Sequence, residues 1–171
     1  MQPTLADIFA AAKVIRGVAD GTPLVPSPYM TQRAGAEFLL KLENMQPIGA
    51  FKLRGAYNAV AAVQDAPGVT CCSTGNHGRG VAFAAARRGL RAVICMSELV
   101  PQAKVDGIRA LGAEVHIKGR SQDDALAESQ RLVAEEGLFE ISPFDDPLVI
   151  AGQGTIGLEI LAARPDVTTL L

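Results

Sequence analysis

The sequence has no tryptophan, two histidines, three cysteines and only 5% aromatic residues. Each scarcity closes a class of function. The cysteines are two neighbours, Cys71 and Cys72, and a distant Cys95. No CxxC spacing joins them, which sets aside zinc ribbons, thioredoxin-like redox motifs and a disulfide framework, and fits a reducing cytoplasm. The histidines, His77 and His116, fall in different predicted elements, so no metal site is expected. Charge of one sign is lacking too: Lys and Arg number 16 against 18 for Asp and Glu, without a basic run. Neither nucleic acid nor a membrane surface is an expected partner. No apolar run approaches the ~20 residues of a bilayer span. The opening MQPTLADIFAAAK has no basic start and carries Asp7 inside its apolar part, so it does not read as a signal peptide.

What remains is 49% hydrophobic in 171 residues, enough for a real core in about one domain or a little more. From Val69 the pattern alternates. VTCCST is β-prone, and GNHGRG is a glycine-bearing turn. VAFAAARRG is an alanine-rich helix closed by Gly89, and RAVICM a second strand. PQAKVDGIRALG is a helix with Pro101 in its first turn and Gly112 as its stop. AEVHIKG is a third strand. SQDDALAESQRLVAEEG is a helix capped by Ser121 with acids in its first turn, and LFEIS is a fourth strand. Strand–helix alternation with short connections predicts a parallel sheet covered by helices.

The flanks differ. ADIFAAAKVIRG predicts a helix, TPLVPSPYM an extended proline-bearing segment, and AEFLLKLENM a strand around its Leu-Leu-Lys-Leu core. After the small α/β block, PFDDPLVIAGQGTIGLEILAARPD reads as a loop followed by a glycine-interrupted helix. The final VTTLL reads as the beginning of a buried strand, which points to a piece of a longer protein.

Three stretches carry chemistry. In GAFKLRGAYNAV, Lys52 opens a helix whose apolar face is Leu53, Ala56, Tyr57, Val60 and Val63; Gly55, Ala59 and Ala62 form a close-packing face. A lysine there is either a solvated residue at a helix start or a desolvated amine. Burial can depress a lysine pKa by about 3–5 units, and a neutral amine is what condensation with a carbonyl requires. In STGNHGRG, a strand end, a glycine turn and a helix start aim backbone N–H groups at one point, which suits an anion. Ser73, Thr74, Asn76 and His77 add side-chain donors, more than capping alone needs. In AGQGTIGLE, Gly152, Gly154 and Gly157 imply close approach by a backbone or a ligand. Cys71 and Cys72 read as buried strand residues; Asp145 and Asp146 read as turn residues ahead of Pro147. A rival reading of the strand–glycine–helix loop makes it a dinucleotide site with Glu98 on a ribose, but its glycines run G-x-x-G-x-G rather than G-x-G-x-x-G.

Taken in order, LKLENMQPIGAFKLRGAYNAV, STGNHGRGVAFAA, VPQAKVDGIRALGAEV and FDDPLVIAGQGTIGLEI resemble the serine/threonine dehydratases and serine racemases, pyridoxal-phosphate enzymes of the tryptophan-synthase-β fold (fold type II). The match runs from Thr22 to the end, and within the family it is most similar to the dehydratase of hydroxyectoine utilisation. The resemblance implies the cofactor pyridoxal 5'-phosphate, held as a Schiff base on Lys52. Lys52 would then take the substrate α-proton. Phe51 would lie against the pyridine ring, and Asn76 would bond the phenolic oxygen. Ser73, Thr74, Gly75 and His77 would grip the substrate carboxylate. The implied reaction is β-elimination of water from a small hydroxy-amino acid such as threonine or serine, or from a hydroxyectoine-derived substrate, with release of a keto acid and ammonia. Racemisation is the alternative.

The implied architecture is α/β, with open, mostly parallel sheets covered by helices: a small three-layer domain plus part of a larger cofactor domain. Residues 1–68 would begin the large domain, 69–146 form the small one and 147–171 return to the large one. The expected partners are a small amino-acid substrate and, at full length, a second copy in a cytoplasmic homodimer. Ala50 stands where the family usually has serine, and Ser142 where it usually has histidine. The glycine-rich phosphate loop and the partner of the pyridine nitrogen would both follow Leu171, so this stretch by itself would bind the cofactor poorly.

Overall fold

The computed structural model describes residues 2–19, 21–73 and 75–171. Its principal sheet has four parallel strands: β3 (Gly68–Cys72), β4 (Arg91–Met96), β5 (Glu114–Ile117) and β6 (Phe139–Glu140), in the spatial order β5-β4-β3-β6. The helices between them are α4 (Asn76–Arg88), α5 (Gln102–Arg109) and α6 (Gln122–Glu136). Period-2 alternation divides each central strand between two cores. Val69, Cys71, Ala92, Ile94 and Met96 face α4 and α5, meeting Val81, Ala85, Val105 and Ile108. Cys72, Val93 and Cys95 face α6, meeting Ala125, Leu132 and Leu138. Both faces are covered, which is why β3 is buried at every position. Burial pushes the Cys71 thiol well up and Cys95 up to about 11, as structural cysteines of a strand core.

The strand order fixes where a ligand can sit. The chain steps outward from β3 to β4 to β5, then crosses back to lay β6 on the other side of β3. The order reverses between β3 and β6, and in open α/β sheets the crevice at such a reversal, beyond the carboxyl ends of the strands, is the ligand position.

The flanking segments gather on the outside of the α4 face. They comprise α1 (Leu5–Val14), β1 (Leu24–Pro26), α2 (Pro28–Ala34), β2 (Leu39–Lys41), a 3-10 turn at Glu43–Met45, α3 (Lys52–Ala61) and α7 (Pro147–Ala163). Strands β1 and β2 pair antiparallel. Thr4 caps α1 in a reciprocal box with Asp7, Ser121 does the same for α6 with Asp124, and Asp146 caps α7 through the Leu148 and Val149 N–H groups. Ala56, Ala59 and Val60 of α3, Val63 just beyond it, and Val149 of α7 belong to the same apolar cluster as β3 and α4.

Three expectations need correction. The extended reading of TPLVPSPYM holds only to Ser27, whose hydroxyl caps α2 with Pro28 in its first turn. The glycine-rich GNHGRG is the first turn and a half of α4 rather than a turn ahead of it. Gly80 is tolerated inside that helix because α3 presses on it: a Cβ there would lie 2.9 Å from Ala56 Cβ and 3.3 Å from the Lys52 carbonyl. VTTLL forms no ladder with the described strands and is largely exposed, because a β-branched run needs a neighbouring strand for its backbone groups. The α7 glycines resolve toward helix packing. A Cβ on Gly152 would strike the Arg54 carbonyl at 2.6 Å, and one on Gly154 would strike Ile8 at 2.9 Å, while one on Gly157 would meet no described atom.

Candidate functional site

The site lies where the strand order reverses. Lys52 is the first residue of α3 and is half-buried, between the two fates its sequence left open. Its Nζ donates to the Pro143 carbonyl at 3.0 Å and stands 5.7 Å from the centroid of the Phe51 ring. Phe51 is 41% exposed. Pro143 belongs to the connection that leaves β6, so the amine reaches the carboxyl end of that strand from outside the sheet.

On the neighbouring strand, β3 ends at Cys72 and the loop opens α4 at Asn76. The Ser73 hydroxyl accepts from the Gly75 and Gly78 N–H groups at 3.3 and 2.9 Å, and the Ser73 N–H donates to the Cys95 carbonyl. With 7% exposure and all these bonds directed inward, Ser73 braces the loop. Asn76 is partly open at the first position of α4, and a Cβ on Gly75 would meet no described atom within 4 Å. Thr74 lies outside the described residues.

His77 is 3% exposed. Its Nε2 lies 2.9 Å from the Ile141 carbonyl. A carbonyl only accepts, so Nε2 carries the proton and Nδ1 is left with a lone pair. That Nδ1 is buried without a partner among the described residues. Burial pushes the imidazole below its ordinary range, against the pull of the Ile141 bond, and the nearby Lys52 charge lowers it further. Lys52 and His77 therefore rest on carbonyls two residues apart in one short stretch of chain.

Sequence reasoning thus named Lys52, Phe51, Ser73, Gly75, Asn76 and His77, and the fold gathers their elements around one crevice. It missed the Ile141 and Pro143 carbonyls, since backbone acceptors carry no residue signature. It also missed Arg54. This guanidinium, fully buried on the side of α3 away from Lys52, donates through Nε and Nη2 to Glu43 at 2.8 and 2.7 Å. Through Nη1 and Nη2 it donates to Glu159 at 2.6 and 3.0 Å, and through Nη1 to the Thr155 hydroxyl at 3.1 Å. Lys41 adds a 2.5 Å bond to Glu159. Burial would raise the Glu159 carboxyl, but the bonds from Arg54 and Lys41 prevail and hold it at about 2. A charged residue within an otherwise buried helix was the available signal.

Two clefts, of about 240 and 480 Å³, lie elsewhere and include none of the gathered residues in their walls. Among the described residues no cluster of His, Cys, Asp or Glu is arranged for a metal ion, and no helix is long and apolar enough to cross a membrane.

Comparison with known proteins extends the likeness over nearly the whole chain. A family model described as pyridoxal-phosphate dependent enzyme matches residues 15–171. The L-threonine ammonia-lyase of Thermotoga maritima is 42% identical over 171 residues, 98% of this chain and 43% of that protein. The crystal structure of a T.th. threonine deaminase matches with a TM-score of 0.89 at 42% identity, covering 97% of this chain and 54% of the other. Maize serine racemase matches with a TM-score of 0.93 at 32% identity, covering 98% and 52%. The chain spans about half the length of the relatives it matches.

Proposed function

The chain belongs to the pyridoxal-phosphate dependent enzyme family, and on that premise we propose that it forms the amine-bearing part of a dehydratase, or ammonia-lyase. Its substrate is a small hydroxy-amino acid such as threonine or serine, or a hydroxyectoine-derived one, released as a keto acid and ammonia. The observation that carries this reading is the half-buried Lys52 amine at the strand-order reversal, beside the open amino end of α4.

The residues present fit the cofactor. The amine is accessible, an aromatic ring beside it is partly uncovered, and there is open space at Gly75 next to Asn76. Pyridoxal phosphate, when bound, supplies the electron sink for carbanion chemistry. The chain's own groups do the rest. Lys52 would hold the cofactor through its carbonyl carbon, and the Lys52 amine would take the substrate α-proton. Phe51 would cover a ring face, and Asn76 would donate to the phenolic oxygen. The His77 N–H group, at a helix amino end with its partial positive charge, receives the substrate carboxylate in the open space beside Gly75. Ser73 shapes that loop from behind, and Thr74 is the further candidate for the substrate carboxylate.

In this proposal residues 69–146 are a small domain, 1–68 and 147–171 belong to a large one, and the full-length protein is a cytoplasmic homodimer. Racemisation is the second reading, favoured by the fold of maize serine racemase. Dehydration stands first because the threonine-cleaving relative is the more similar, 42% against 32% identical. The test incubates full-length protein and pyridoxal phosphate with L-threonine and L-serine. Equal amounts of keto acid and ammonia are expected, and none from Lys52→Ala. Inversion at the α-carbon without keto acid would favour the racemase, and neither product would overturn both readings.

A further inference from the structure

We propose that Arg54 is a positioning residue for Lys52, acting through the charge quartet that the buried Arg54 forms with the half-buried Glu43, Glu159 and Lys41. This rests on the reading of Lys52 as the cofactor-holding amine. Successive helical residues turn about 100° around the axis, so Lys52 and Arg54, two apart, point to nearly opposite sides of the first turn of α3. What fixes one side fixes the roll of the other.

The Arg54 side is fixed completely. A guanidinium has five N–H donors, and each has an acceptor here. One fork grips Glu43, a second grips Glu159, and the Nη1 group also meets Thr155. The carboxylates are themselves held from behind. Glu43 accepts from the Thr22 hydroxyl and from Gln46, and Glu159 accepts from Lys41 and the Gly21 N–H. The quartet is formally neutral and joins β2, the 3-10 turn, α3 and α7 at one point. Bidentate Arg–carboxylate pairs constrain direction as well as distance. Directly alongside, Gly152 of α7 packs on the Arg54 carbonyl and on Gly55, so α3 has no room to roll.

Stability alone does not explain such a cluster. Replacing a complete buried ion network by apolar side chains of similar volume is often neutral or stabilising. Orientation does explain it: the network sets the first turn of α3 so that Nζ meets the β6–α7 connection at Pro143.

The test compares full-length holoprotein with Arg54→Lys, Glu159→Gln and the apolar quadruple variant Lys41→Met, Glu43→Met, Arg54→Met, Glu159→Met. Circular dichroism and thermal melting report the fold. The visible absorption of the bound cofactor and kcat and KM report the site, with Lys52→Ala as the control for covalent attachment. The quadruple variant should melt close to the parent yet show a displaced visible band and a fall in kcat on the order of tenfold, with KM changed much less. Arg54→Lys, which keeps the charge but only part of the fork, should lie between. Folded variants with parental spectra and kcat would overturn the positioning role. So would a quadruple variant that does not fold, since the quartet would then be a stability element. A parent protein whose cofactor is not on Lys52 would instead overturn the underlying functional reading.

Discussion

Two polar regions lie on opposite sides of the first turn of α3, and they differ in one respect. Every donor of the Arg54 guanidinium is matched, and the carboxylates facing it carry further bonds of their own. Around Lys52 the matching is incomplete. The ammonium meets a single carbonyl acceptor among the described residues, and the His77 Nδ1 lone pair is buried with no described donor to receive. Native interiors satisfy nearly all buried polar groups. A saturated cluster is therefore what a scaffold needs, and an unsaturated one on the other side of the same helix turn is what the proposed cofactor site needs.

The contrast can be broken by substitution. The largest stability effect should come from Arg54→Met, which strands two carboxylates in the interior and should cost about 3–5 kcal/mol, read by urea unfolding. Lys52→Ala, on the unsaturated side, should change stability by less than about 1 kcal/mol, since it removes one half-exposed bond. Next is Gly80→Ala. The added Cβ at 2.9 Å from Ala56 Cβ should push the amino ends of α3 and α4 apart. The cost should be about 1–2 kcal/mol despite alanine's better helix propensity, and cofactor affinity should fall with it. Equal stability of Arg54→Met and Lys52→Ala would erase the contrast.

Acid titration separates the two regions by pH. His77 has a folded pKa below its ordinary 6.5, chiefly through burial, so the unfolded chain binds the proton more readily. The stabilisation is complete above about pH 6.5 and fades as pH falls below it. Glu159, held at about 2 against an ordinary 4.5, contributes fully above about pH 4.5 and loses its share as pH falls toward 2. His77→Gln should flatten the first limb of a stability–pH curve and Glu159→Gln the second. Ser73→Ala should cost about 1 kcal/mol for losing the acceptor of two N–H groups at the start of α4.

The parallel sheet was legible because each strand–helix unit carries its own local signals: Ser121 with Asp124, Gly89 after the alanine helix, β-branched runs between. Lys52 and the loop from Ser73 to His77 were legible for a different reason, the ordered resemblance of four motifs. Where three glycines crowd together around Asn76 and His77, local reasoning sees a turn, and only the pressure of α3 on Gly80 explains a helix there. The Arg54 quartet was invisible. Its carboxylates lie 11 residues before and 105 residues after the arginine, and no local pattern joins them. The position of Lys52 on the Pro143 carbonyl, 91 residues away, was equally out of reach.

The most direct measurement is to equilibrate the full-length protein with pyridoxal phosphate, reduce with borohydride and map the modified lysine by peptide mass spectrometry. Modification should fall on Lys52, with Lys13, Lys41, Lys104 and Lys118 unlabelled, and should vanish in Lys52→Ala without loss of fold. Labelling spread over the other lysines, or persisting in folded Lys52→Ala, would contradict the assignment of the unsaturated region as the cofactor site.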